Sequence, residues 1–225
     1  MSGTDISQLI AEKTGANGTI PHTAFKVDDV DAEGFEQNVL LAVDGDTIQV
    51  GYVVLDPEAF DYWKEHDGLG EFRRFQRGDD PREIVRELEA EGKLVLPVEC
   101  YAHGARHYSI AGTRNYPDRQ WDVGLVGLFV PCDDVQERYR KAIGEEGADP
   151  AAARDAAVRD SNTVLDEYSK TVNGEVYGIV VETWRKEGDH VRALSQDAVW
   201  QHIGHDYAIE SLREMMPGEE PAPSL

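Results

Sequence analysis

The chain has 225 residues, 40% of them hydrophobic, and its 44 acidic against 22 basic side chains leave a formal net charge of −22. That length can bury a core, while the charge repels nucleic-acid phosphates and anionic membrane surfaces, so direct nucleic-acid binding is disfavoured. No apolar run approaches the roughly 18 residues of a membrane span, and the first residues lack the basic-then-apolar order of a secretory signal. The expectation is a soluble, cytoplasmic protein.

The basic residues are 15 Arg and only 7 Lys. Two readings of the acidity follow. One is adaptation to a salt-rich cytoplasm, where carboxylates keep a protein hydrated and salt screens their repulsion. The other is a polyanionic face that imitates nucleic acid or docks on a basic partner. The acid is scattered through every segment, which favours the first. Cys100 and Cys132 are too few for a disulfide framework and lack metal-type spacing, which fits a reducing compartment and leaves a single bridge between them open.

In chain order, Thr4 is placed to cap a short helix carrying Ile6, Leu9 and Ile10 and ended by Gly15, within an N-terminal arm over 1–36. Asn38 to Val43 and Thr47 to Leu55 read as strands joined by Asp44-Gly45-Asp46, a hairpin signal. Asp-Pro pairs, with Asp as N-cap and Pro at the first helical position, start helices at Asp56-Pro57 (to about Glu65), Asp80-Pro81 (Arg82 to Glu91) and Asp149-Pro150 (toward Tyr168). Strands are expected at Leu94 to Ala102, His107 to Ala111, Val123 to Val130, Val176 to Trp184 and His190 to Leu194. Asp133 caps a helix over Val135 to Ile143, Lys186-Glu187-Gly188-Asp189 turns between the late strands, and a last helix covers Tyr207 to Met215. The pattern predicts an α+β fold, one domain over 1–216 with a mainly antiparallel sheet and several packed helices, followed by a disordered acidic tail over 217–225.

Chemistry-bearing residues concentrate between Leu94 and Pro131. His103, Arg106, His107, Tyr108, Trp121 and Asp122 cluster between apolar runs, and His202, His205 and Asp206 form a second group near the last helix. The spacing of His103 and His107 puts both imidazoles on one face of a helix, but Gly104 and strand-like flanks oppose that, so the pair would have to meet across a loop. A divalent metal held by His103 and His107, with Asp122 or Glu99 as oxygen ligand, is one use of this set; an ordinary hydrogen-bonded pair is the other. His205 or Asp206 can instead cap the last helix. Arg106, Arg114 and Arg119 can hold an anion or pair with neighbouring carboxylates, the commoner fate. Ser109 and Cys100 stand in no activating frame and read as strand residues. Gly124 and Gly127 sit inside a strand, where close packing or a bulge explains them. Arg73, Arg74 and Arg77, interleaved with Phe72 and Phe75, read as buried rings with cations turned outward.

Four short blocks in order resemble a widespread family of small proteins carried by tailed phages and conjugative elements, over roughly residues 94–210. They are the strand Leu94 to Tyr101 with His103-Gly104; Trp121-Asp122-x-Gly124-x-Val126-Gly127; Tyr168 with Gly174-Glu175-Val176-Tyr177-Gly178-Ile179-Val180; and Trp200 with Gly204-His205-Asp206-Tyr207. Ala102 stands where that family tends to have Asp, Ala105 replaces a small hydroxyl residue and no Cys precedes Trp121. The resemblance implies a mobile-element setting, and with the acidity a haloarchaeal or halophilic virus, but brings no catalytic residues. The leading expectation is therefore an accessory protein in the host cytoplasm that binds a host or viral protein partner, such as a defence or nucleic-acid-processing complex, and requires no cofactor. The rival is a metal-dependent hydrolase built on His103, His107, Asp122, His202 and His205. A third reading is a minor virion or assembly component.

Overall fold

The computed structural model describes residues 39–58, 61–145, 147–187 and 190–216. The expected helix at Thr4, the Gly188-Asp189 turn and the tail over 217–225 lie outside them. The chain is α+β, and among the described residues every strand pairing is antiparallel, the strands being shared between two four-stranded sheets. Each sheet belongs to its own compact unit, one spanning Phe60–Gly174 and the other combining Met1–Ala59 with Glu175–Leu225.

In the discontinuous unit, β1 (Val39–Asp44) and β2 (Thr47–Leu55) form the expected hairpin, with Gly45 at φ 59°, a conformation a side chain would resist. β2 pairs with β7 (Val176–Glu187) and β7 with β8 (His190–Ile203), giving the order β1-β2-β7-β8. The last helix, α6 (His205–Met215), packs Ala208 and Leu212 on Val53, Ile179 and Val181. Gly51 admits this approach, because a side chain there would collide with Leu212 and Met216. Both late strands run further than their patterns suggest. Arg192 to Gln201 is exposed throughout, so no alternation of apolar and polar residues marks β8, whose register also shifts at two points along β7. Trp200 lies on Gly178, where a side chain would collide with its ring.

Asp56 does not open a helix. Its N–H still bonds the Val176 carbonyl at 2.9 Å and its carboxylate accepts from the N–H groups of Glu58 and Gln201, so the residue prolongs the sheet. The described helix nearby is the short α1 (Tyr62–Glu65), with Asp61 at its N-cap.

The continuous unit holds the sheet β3-β6-β4-β5, from β3 (Gly70–Arg74), β4 (Leu96–His103), β5 (Ala105–Ile110) and β6 (Val123–Pro131). α2 (Pro81–Ala90) and α5 (Pro150–Val172) begin at their Asp-Pro pairs, Asp80 accepting from Arg82 N–H and Asp149 from the N–H groups of Ala151 and Ala152. α4 (Asp133–Gly144) starts after Cys132 with two acids in its first turn, where the helix dipole favours them, rather than with Asp133 as cap. One sheet face presents Leu96, Val98, Cys100, Tyr108, Ile110 and Phe129 to Val135 of α4 and to Ala157 and Leu165 of α5. The other is covered at one end, where Ile84 and Leu88 of α2 meet Leu128 and Val130.

α5 also closes the open edge of β5. Asn162 accepts from Ile110 N–H at 2.8 Å, Ser169 from Tyr108 N–H at 2.8 Å, and Asn173 both accepts from and donates to the backbone of Arg106 at 2.9 Å. Two helix side chains and that of the C-cap Asn173 thus take the place of a neighbouring strand. β3 carries no strand signal, because only Phe72 of its central residues turns into the core and the rest is charged.

Candidate functional site

Strand alternation decides which of the clustered residues meet. Along β4 the even positions Leu96, Val98 and Cys100 enter the core, so Glu99, Tyr101 and His103 share the opposite face. Antiparallel register puts Ser109 across from Glu99, His107 across from Tyr101 and Ala105 across from His103. α2 covers this face beyond Leu128, and Tyr116 and Arg119 cover Ser109 and Glu99, which leaves the end at His103 and His107 open.

Tyr101 is half-buried at the border of the open end. Its ring stacks on Tyr116 at 4.8 Å between centroids and lies 6.2 Å from both His103 and His107, with interplanar angles of 8° and 23°. His103 and His107 therefore do share a face, on a hairpin rather than a helix. Asp122 reaches His103, its Oδ2 lying 3.0 Å from Nδ1. Asp122 ends the short helix α3 (Arg119–Asp122), and Trp121 beside it is 80% exposed.

Glu99 is buried within this face and its carboxylate is claimed by Arg119, with Nη1 to Oε1 at 3.0 Å and a second bond from Nη2. It is not free to ligate. Arg114 bonds Asp166. Two of the three arginines considered for an anion pocket are thus paired with carboxylates. Arg106, opposite Ala102, lies on the other side of the sheet from His103 and His107, so the hairpin separates it from the cluster. Ser109 is fully buried and hydrogen-bonded to Tyr116, while burial pushes the Cys100 thiol pKa up; Cys100 and Cys132 are both free. Neither Ser109 nor Cys100 is an activated nucleophile. Gly127 is required for packing, since a side chain there would meet the Arg73 carbonyl and the Phe72 ring; Gly124 has open space.

His202, His205 and Asp206 belong to the other unit. The ring of His202 lies 5.6 Å from that of Tyr207, its Nδ1 is buried with no hydrogen-bond partner among the described residues, and burial lowers its pKa, opposed by the Tyr177 backbone. His205 packs edge-on against Tyr177 at 5.4 Å, and its Nδ1 lies 3.8 Å from Asp206. Gly204 is the N-cap of α6, so neither His205 nor Asp206 caps it; they occupy its first turn, because the positive φ of Gly204 makes the bend. Among the described residues no three His, Cys, Asp or Glu side chains gather as a metal-holding group.

Tyr101, Tyr116 and Leu125 were not legible as site residues. The available signal was the alternation Glu99-x-Tyr101-x-His103, whose odd positions are polar or aromatic where a two-sided core strand would be aliphatic. The chain matches no family model, no curated protein and no solved structure. Among the described residues no helix is long and apolar enough to cross a membrane.

Proposed function

We propose that the chain is a binding protein whose contact surface is the open sheet face of the Phe60–Gly174 unit, centred on Tyr101 and Trp121. The observation that carries this is Trp121, 80% exposed in the same short helix whose Arg119 and Asp122 are tied to β4. An indole held in water by a fixed backbone is the kind of side chain that anchors protein interfaces. The order of the four blocks supports an accessory protein of a virus or mobile element, acting in the host cytoplasm on a host or viral protein such as a defence or nucleic-acid-processing complex. The scattered acid supports adaptation of that setting to high salt. The test is capture from a halophilic host lysate at high salt by the tagged chain and by Trp121→Ala. A partner retained by the first and lost by the second supports the reading; the same proteins retained by both would remove it.

One observation favours a second reading. Asp122 at Nδ1 of His103 fixes the imidazole and leaves Nε2 facing solvent, the arrangement of a metal-ligating or proton-transferring histidine. A metal-dependent hydrolase would then use His103 with Asp122 behind it. Elemental analysis of untagged protein decides this: stoichiometric metal lost in His103→Ala supports it, and none in the wild type rejects it.

A further inference from the structure

Between β6 and α2 the same sheet face holds a groove of about 420 Å³. Its floor is Phe75, Pro97, Leu125 and Leu128, and Leu125 is 53% exposed. Its wall is α2, which contributes Val85 flanked by Arg82 and Arg86, one helical turn apart.

These two arginines differ from others in the chain. Arg114, Arg119, Arg138 and Arg192 each bond a carboxylate. Among the described residues neither Arg82 nor Arg86 does, and the one side-chain bond between them runs from Arg86 Nε to the Arg82 carbonyl at 3.2 Å. Of the neighbouring acids, Asp79 accepts from Gln76 N–H at 2.8 Å and Asp80 from Arg82 N–H at 2.9 Å, while Glu83, Glu87 and Glu89 of α2 do not line the groove, whose charged lining residues are Arg82 and Arg86. In a chain with 44 carboxylates, an apolar trough whose charged lining residues are both guanidinium groups is basic where the helix around it is acidic.

We propose that this groove docks an acidic, apolar segment of a partner protein, its apolar side chains on the Phe75–Leu125 floor and its carboxylates on Arg82 and Arg86. This rests on the binding reading above and names the chemistry of what is bound. Residues four apart on α2 are separated by about 6 Å along its axis, close to the roughly 6.6 Å between alternate residues of an extended strand. Two carboxylates on alternate positions of a strand, or one turn apart on a helix, therefore match the pair, and the guanidinium fork grips each in two-point geometry. A protein segment fits better than a small amphiphilic acid, because the trough is open along one side, whereas small ligands are mostly enclosed.

The experiment uses the full chain at about 1 M KCl, where the Debye length of roughly 3 Å removes the repulsion of the whole molecule. The probes are a fluorescein-labelled peptide of alternating Glu with Leu and Phe, its Lys-for-Glu counterpart, and sodium laurate as competitor, read by anisotropy. Saturable binding of the acidic peptide alone is expected, weakened roughly tenfold or more in Arg82→Glu/Arg86→Glu and in Leu125→Lys. All three substituted side chains lie on the surface, and the melting temperature of each variant reports its folding. No saturable binding, equal binding of both peptides, or unchanged binding by both variants would overturn the proposal, as would binding of laurate without the peptide. If the groove fails while Trp121-dependent capture persists, the binding reading stands without it.

Discussion

Glu99 and Arg119 show how one buried charge organises a surface. A carboxylate removed from water is tolerable only while paired, and Arg119 supplies that pair from outside the sheet, which also anchors the helix carrying Trp121 and Asp122. Arg119→Ala should therefore lower the melting temperature and loosen that helix, and Glu99→Gln added to it should recover most of the loss. Additive destabilisation by the two changes would show that the ion pair does not have this role. Tyr62 carries a pH dependence of definite sign. Burial raises its pKa, and the charge of Glu167, to which its hydroxyl donates at 3.0 Å, raises it further. Unfolded tyrosine loses its proton near pH 10 while the folded residue keeps it, so this contribution to stability is complete below about pH 10 and is lost as pH rises beyond it. Denaturation midpoints across that range should fall less steeply in Tyr62→Phe than in the wild type; equal slopes would contradict the assignment.

Among elements, α5 has two jobs, packing Leu165 into the core and completing the edge of β5 through Asn162, Ser169 and Asn173. Ser169→Ala leaves the buried Tyr108 N–H unpaired and should cost about 1–3 kcal/mol, with faster hydrogen exchange at that amide. Exchange unchanged at Tyr108 would mean that the helix does not protect this edge. The elements readable beforehand share one property, a local chemical rule: the Asp-Pro starts of α2 and α5 and the Gly45 hairpin need no tertiary information. Asp56 obeys the same rule in sequence, and one carboxylate oxygen still accepts from Glu58 N–H, but its own N–H and its other oxygen are taken by strands far along the chain and no helix opens there. β3 and most of β8 were illegible for another reason. Each is an edge strand with little or no buried side, so the alternation that reveals a strand is absent.

The site was half legible. His103, His107, Trp121 and Asp122 were grouped by proximity in sequence, and the hairpin joins the two histidines while Asp122 returns to His103. Arg106 was grouped on the same ground and falls on the opposite face, because adjacent strand positions point apart. Tyr116 reaches Tyr101 only through the loop after β5, which sequence spacing does not encode.

At the scale of the whole molecule, charge is the dominant fact. Forty-four carboxylates against twenty-two cations repel one another more as salt is removed. If the acid is salt adaptation, the melting temperature should fall steadily as KCl is lowered from molar to millimolar concentration, and a melting temperature indifferent to KCl would contradict it. On the proposed reading a partner docks locally, on Tyr101, Trp121 and the groove beside α2. The most direct measurement of that claim is a hydrogen-exchange comparison of the free chain and its complex with the captured protein. Protection should concentrate at residues 99–107 and 119–125 and disappear with Trp121→Ala. Protection confined to the sheet of the other unit, unchanged by that substitution, would contradict it.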